Sequence, residues 1–162
     1  MANAIIVTGT PGTGKTTVAM RLAKKLGWKY VDVNKVISKE RLSEGYDRKN
    51  RCRIVDEKKL GKTLVQLAKK SEENLVIDSH MSHYMPAKSV DLCIVTRCNL
   101  KILKRRLKRR GYTENKIKDN LECEIFDTCL IESQEAGHDV IVVETDKKVD
   151  YDKILKKVKI KK

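Results

Sequence analysis

Short unbroken apolar runs alternate along the chain with stretches whose apolar residues recur every three or four positions. The first kind reads as strands buried on both faces, the second as amphipathic helices. Ala4-Ile5-Ile6-Val7 opens the series. Trp28 to Val33, Asn74 to Asp78, Asp91 to Arg97 and Asp139 to Glu144 supply four further strands. Helical spacing follows the first strand from Thr17 to Ala23, with Gly27 placed to cap the helix. It returns from Asn34 to about Leu42, and from Asp56 to Lys70, where Leu60, Leu64 and Leu67 form one stripe. It returns again over Leu100–Arg110, about Thr113–Ala136 and about Tyr151–Lys159. Gly61 interrupts the third of these helices at a cost of about 1 kcal/mol against Ala. From Ser43 to Arg53, Asn50 included, the chain is polar and aperiodic, and is expected to be a loop rich in cationic donors. Strands alternating with helices imply an α/β fold, a parallel sheet covered on both faces.

Between the first strand and the first helix stands Gly9-Thr10-Pro11-Gly12-Thr13-Gly14-Lys15-Thr16. This is G-x-x-x-x-G-K-[ST], the P-loop, in the strand, loop and helix setting that the motif requires. Glycines let the backbone approach a ligand's oxygens with no Cβ in the way. The loop amides converge as an anion nest, and the helix adds the positive end of its dipole. Lys15 supplies a mobile charge for the β- and γ-phosphates. Thr16 offers a hydroxyl to Mg²⁺, which prefers hard oxygen ligands.

Composition sharpens this picture. The 162 residues suit one domain with a sizeable core;. Charged residues are 36% of the chain and the formal net charge is +14. Such a balance favours anionic partners: nucleotides, RNA or acidic protein surfaces. A nucleotide needs only a few cations, so the surplus has two readings. One is the solvated surface of a thermophile, in keeping with high Lys and Glu, one Trp and one Phe;. The other is contact with RNA or a ribosomal surface. The five cysteines, Cys52, Cys93, Cys98, Cys123 and Cys129, are odd in number and none has C-x-x-C spacing. Neither a zinc site nor a disulfide framework is expected, and Cys93, within an apolar run, reads as core. The N-terminal apolar run is too short for a signal peptide. No segment approaches the ~20 apolar residues of a membrane span. A cytoplasmic domain is expected.

Asp78 ends an apolar strand, where a carboxylate can hold Mg²⁺ beside Thr16. His80 follows two residues later, at the sheet edge where open α/β folds bind ligands, and could position a water or a γ-phosphate. Residues 101–110 hold seven cations. At about 100° per residue, Arg106 and Arg110 fall beside Leu103, on one edge of the stripe formed with Leu100 and Leu107. They are the two most able to turn toward a phosphate, which the planar guanidinium binds bidentately. Arg97, at a strand end, and the loop cations Arg48, Lys49, Arg51 and Arg53 are further candidates, and spacing does not choose among them.

Several blocks together carry a resemblance. Gly9 to Thr17, Glu44-Gly45-Tyr46-Asp47, Asp78-x-His80, Arg110-Gly111-Tyr112, Asn120 and Cys123-Glu124-Ile125-Phe126 resemble the adenylate kinase isoenzyme 6 type. These are small NMP kinases also described as ribosome-assembly ATPases. The resemblance implies one five-stranded P-loop domain over residues 1–162, with helices on both faces. It implies an NMP-binding segment at about 32–55 and a short lid at about 109–119. It also implies ATP with Mg²⁺ as cofactors and AMP as acceptor, other monophosphates being possible. Gly12, Gly14, Lys15, Thr16 and Thr17 match the ATP loop, and Arg110 the lid arginine. Asp78 and His80 match the motif assigned to Mg²⁺ and ATP hydrolysis. A small-subunit ribosomal protein, and rRNA, are the implied partners of a monomer. The chain departs from common adenylate kinases in lacking their Gly-Ser-Gly-Lys-Gly loop. The 101–110 run is also more basic than the family's lid helix.

Overall fold

A computed structural model describes residues 1–49 and 51–159; Asn50 of the expected loop, and residues 160–162, lie outside the described residues. In chain order the elements are β1 (Ala4–Gly9), α1 (Lys15–Leu26), β2 (Lys29–Asp32), α2 (Val33–Lys39), β3 (Ser43–Asp47), β4 (Cys52–Val55) and α3 (Glu57–Lys70). Then come β5 (Leu75–Asp78), β6 (Leu92–Arg97), α4 (Leu100–Arg109), α5 (Glu114–Ile125), α6 (Thr128–Glu135), β7 (Val140–Glu144) and α7 (Tyr151–Lys157).

Five strands form a parallel sheet in the order β2-β5-β1-β6-β7. Successive side chains of a strand face opposite sides, and β1 divides accordingly. Ala4 and Ile6 pack with Ile37 of α2 and with Leu60, Leu64 and Ala68 of α3. Ile5 and Val7 pack with Val18, Ala19 and Leu22 of α1 and Ile154 of α7. Each fully buried Val, Leu or Ile stabilises the fold by about 1.5–3 kcal/mol. A third, smaller cluster joins Leu103 and Leu107 of α4 to Ile117 of α5. From β1 the chain crosses to β2 on one side and from the adjacent β5 it crosses to β6 on the other, so the connections diverge between the carboxyl ends of β1 and β5. That switch point is where doubly wound sheets bind ligands, and the P-loop begins there. The pairing of Val7 with Asp78 brings the end of β5 alongside.

Two expectations are corrected. Residues 43–53 are not a loop: β3 and β4 form an antiparallel hairpin. Seven of its nine strand residues are exposed, so no buried face imposes the alternation that would have revealed it. The single helix expected over 113–136 is two helices, broken at Asp127, whose φ is +50°. Asp127 there meets the Arg97 guanidinium at 2.8 Å, an ion pair that an unbroken helix pattern does not announce. Gly61 has its own reason: a Cβ on it would stand 2.5 Å from the Tyr84 carbonyl oxygen, so close packing of α3 on this turn needs glycine.

Candidate active site

The site grows from the end of β1. Gly12 has φ +91°, and a Cβ there would lie 2.9 Å from Leu107. The loop therefore needs glycine both for its left-handed turn and for the closeness of α4 above it. Thr13 fixes the loop from within, its hydroxyl bonded to the Thr10 carbonyl at 2.6 Å and to the Thr96 hydroxyl at 2.7 Å. Lys15 opens α1 and donates to the Thr10 carbonyl at 3.3 Å. Desolvation pushes its ammonium down to about 8, against the pull of Asp78, while Arg110 pushes the same way as burial. Both signs follow from Coulomb interactions around a poorly hydrated charge.

Thr16 donates its hydroxyl to Asp78 Oδ2 at 2.8 Å, so the two expected metal-holding groups stand together. Tyr30 of β2, which sequence reasoning missed, donates to the same oxygen at 2.7 Å. Its phenol pKa is raised, first by desolvation and then by that hydrogen bond. The signal was faint: Tyr30 shares a strand face with Asp32, but only the β2-β5 pairing brings it to Asp78. A hydroxyl and a carboxylate are the hard oxygen donors that Mg²⁺ takes alongside waters and phosphate. The donor set fits that ion.

His80, just past the end of β5, is exposed on one side, and its imidazole is held well below its ordinary value by desolvation from the protein around it and by the Lys15 charge. It is neutral at pH 7. His83, by contrast, is buried, with Nδ1 at 2.7 Å from the Thr8 hydroxyl and Nε2 at 2.6 Å from Glu132. It ties β1 to α6. Desolvation outweighs Glu132 and leaves its pKa lowered.

Arg106 turns inward, as its helical position predicts, and spends its donors on the Gly12 carbonyl at 3.3 Å and on Thr145 at 3.3 and 3.4 Å. It braces the P-loop from above. Arg110 caps α4 at the cleft rim, exposed and near enough to Lys15 to lower its pKa. Arg97 is not free for a phosphate: Asp127 holds it at 2.8 Å, and Glu124 lies 3.9 Å away. Glu124 is buried, which pushes its carboxyl up. Arg53 of β4 donates to the Ser38 hydroxyl at 2.6 Å, joining the hairpin to α2. Arg48, Lys49 and Arg51 are exposed.

A cleft of about 790 Å³ runs past Gly12, Gly14, Thr17, Arg106 and Arg110 to Tyr151, and its lining has seven cations and no carboxylate. Lys116 of α5, also missed from sequence, links the α4–α5 turn to the β3–β4 hairpin. Its ammonium lies 4.2 Å from the Tyr112 ring and 3.4 Å from the Arg51 carbonyl. Among the described residues no group of three or more His, Cys, Asp or Glu is placed to hold a metal, and no helix is long and apolar enough to cross a membrane.

Fold and motif define a P-loop nucleotide-binding core. Shikimate kinase from Bacteroides thetaiotaomicron has the same fold, with TM-score 0.60 at 17% identity over 96% of this chain and 93% of that one. A family model described as an AAA domain matches residues 5–127. An adenylate kinase isoenzyme 6 homolog from Caenorhabditis elegans is 39% identical over 140 residues, 86% of this chain and 77% of that protein. One from Dictyostelium discoideum is 36% identical over 140 residues, 86% of this chain and 79% of that protein. The chain belongs to the adenylate kinase isoenzyme 6 family, within the AAA-domain P-loop proteins.

Proposed function

We propose that the protein transfers the γ-phosphoryl group of ATP to AMP, giving two ADP, with room for other nucleoside monophosphates as acceptors. The observation that carries this reading is the Thr16–Asp78–Tyr30 hydrogen-bonded set beside Lys15 at the foot of the P-loop. Phosphoryl transfer needs little covalent chemistry from the protein; it needs position and neutralised charge. Gly12, Gly14 and Thr17 line the ATP cleft. Lys15 neutralises the migrating group, and Arg110 completes the charge from the rim. Arg106 holds the loop's shape. Thr16 and Asp78 would hold Mg²⁺, which when bound would supply charge neutralisation to the phosphates. The segment at 32–55, with its hairpin, receives the monophosphate. The turn at 109–119 closes over ATP and excludes water.

A second reading is favoured by His80, neutral and exposed beside Lys15. A neutral imidazole can accept a proton from an attacking water, making the site an ATPase without acceptor. Such an ATPase would serve as a switch on a small-subunit ribosomal protein or rRNA. One experiment addresses both readings: ATP turnover with and without each monophosphate, following diphosphate and free phosphate together. ADP formed only with AMP supports the kinase. Free phosphate without acceptor, lost in His80→Ala while AMP-dependent ADP persists, supports the switch. No turnover of either kind would overturn both.

A further inference from the structure

The outer cations of α4 have no part in the chemistry above. Lys101, Lys104, Arg105 and Lys108 are exposed. At about 100° per residue they fall within an arc of about 100°, turned away from buried Leu103 and Leu107, in a row about 10.5 Å long;. No acidic residue occurs between Asn99 and Thr113. Among the described residues no ion pair involves an α4 cation. A thermophile's charged surface gains from ion-pair networks, and here there is none. Like charges at i and i+4, as in Lys101 with Arg105 and Lys104 with Lys108, each cost about 0.2–0.5 kcal/mol. The row is a standing repulsion, relieved only by an anion.

The row runs on into the nucleotide cleft. Arg109 and Arg110 line it together with Arg21 and Lys25 of α1 and Lys147 and Lys148 before α7. Apart from Arg110, none of these cations has a part in the transfer proposed above. The row also lacks what a protein partner would grip. Of the exposed large apolar residues only Leu100 lies on α4. The helix has no aromatic ring to stack a base and no amide side chain to read one. Its chemistry suits phosphodiester groups.

We propose that this face of α4, from Lys101 to the cleft mouth, binds single-stranded RNA through its phosphates, without sequence preference. The choice of RNA over DNA rests on the second reading above; the surface itself does not. A single strand is the form that can pass from the row into a cleft of about 790 Å³.

The test is fluorescence anisotropy of a short labelled oligouridylate with the full chain, without ATP, across a salt series. Four phosphate contacts predict a log–log slope of about −2.8, or roughly 50-fold weaker binding at 200 mM than at 50 mM salt. The variant Lys101→Glu/Lys104→Glu/Arg105→Glu/Lys108→Glu is expected to lose binding by more than about tenfold while AMP-dependent turnover is unchanged. A matched reversal on α3, Lys58→Glu/Lys62→Glu/Lys69→Glu/Lys70→Glu, is expected to retain most of it. Should the α4 reversal fail to fold, glutamine at the same four positions must flatten the salt slope. No binding at 50 mM salt overturns the proposal. So does equal loss in the α3 variant, which would mean net charge alone. Tighter binding to DNA of the same length, or to polyglutamate, also overturns it. Anisotropy without ATP reads binding and not turnover, so absent kinase turnover would count against the function proposed above and leave this result standing.

Discussion

The floor of the cleft and its covers are built by opposite rules. The floor is β1, the P-loop and the end of β5, where both strands are buried throughout and the loop's polar groups are tied to one another. The proposed covers are the β3–β4 hairpin, mostly exposed, and the turn from α4 to α5; the hairpin meets the rest through Val55 and the Arg53–Ser38 hydrogen bond, and the turn through Tyr112. Groups that must hold charge to within fractions of an ångström sit where packing leaves no freedom. Parts that must admit and release substrate sit where few contacts resist opening. A floor residue should therefore govern the chemical step, and a cover residue should govern binding.

The largest effect is expected from Lys15→Met. Removing a preorganised charge from the transition state costs about 10²–10³ in kcat. Because burial already disfavours the Lys15 ammonium in the free protein, its loss should not lower the thermal midpoint. Steady-state ADP formation and a melting curve check both halves. Full activity in this variant would remove the basis for placing the chemistry on the P-loop. Next comes Tyr30→Phe, which deletes one of the two hydroxyls donating to Asp78 Oδ2. Hydrogen bonds to charged groups are worth about 1.5–3 kcal/mol, so kcat/KM should fall roughly tenfold or more. The Mg²⁺ concentration giving half-maximal rate should rise with it. An unchanged Mg²⁺ requirement would reduce Tyr30 to packing.

The same contrast explains what the sequence made legible. The floor was readable because burial forces a pattern: unbroken Ile-Val runs for the strands, glycines where the loop turns left-handed, an acid at the end of β5. The five parallel strands and the family followed from it. The hairpin was not readable, since Ser43 to Asp47 buries neither face and leaves no period. Nor was the break at Asp127, which depends on Arg97 of a distant strand. Arg106 was expected to turn inward and does, but its partners are main-chain carbonyls and Thr145, which helical geometry does not name. Tyr30 and Lys116 were invisible for a single reason: their partners are set by strand order and by tertiary contact, not by spacing.

A smaller effect concerns the floor's underside. His83, buried between Thr8 and Glu132, has a lowered pKa. The unfolded chain therefore binds a proton near pH 6.5 that the folded chain refuses. Stability follows the difference in bound protons, so it is intact above about pH 6.5 and lost as pH falls below it. The thermal midpoint should drop between pH 7 and pH 5, and His83→Gln should flatten that part of the curve. A steeper fall in the variant would mean that Glu132, not His83, carries the acid sensitivity.

The smallest expected effect tests the covers directly. Lys116 lies over the Tyr112 ring at 4.2 Å and reaches the Arg51 carbonyl at 3.4 Å, joining the α4–α5 turn to the hairpin. At an exposed site a cation–π contact is worth about 0.5–1 kcal/mol, and the long hydrogen bond adds little. Lys116→Ala should therefore raise the KM for AMP about two- to fivefold and leave the KM for ATP near its original value, because the P-loop is untouched. If product release limits turnover, kcat should rise slightly as the covers part more easily. Lys116→Arg keeps the charge over the ring and should restore the KM for AMP. A variant that lowered kcat strongly with both KM values unchanged would place Lys116 with the floor, and the division between floor and covers would have to be redrawn at α5.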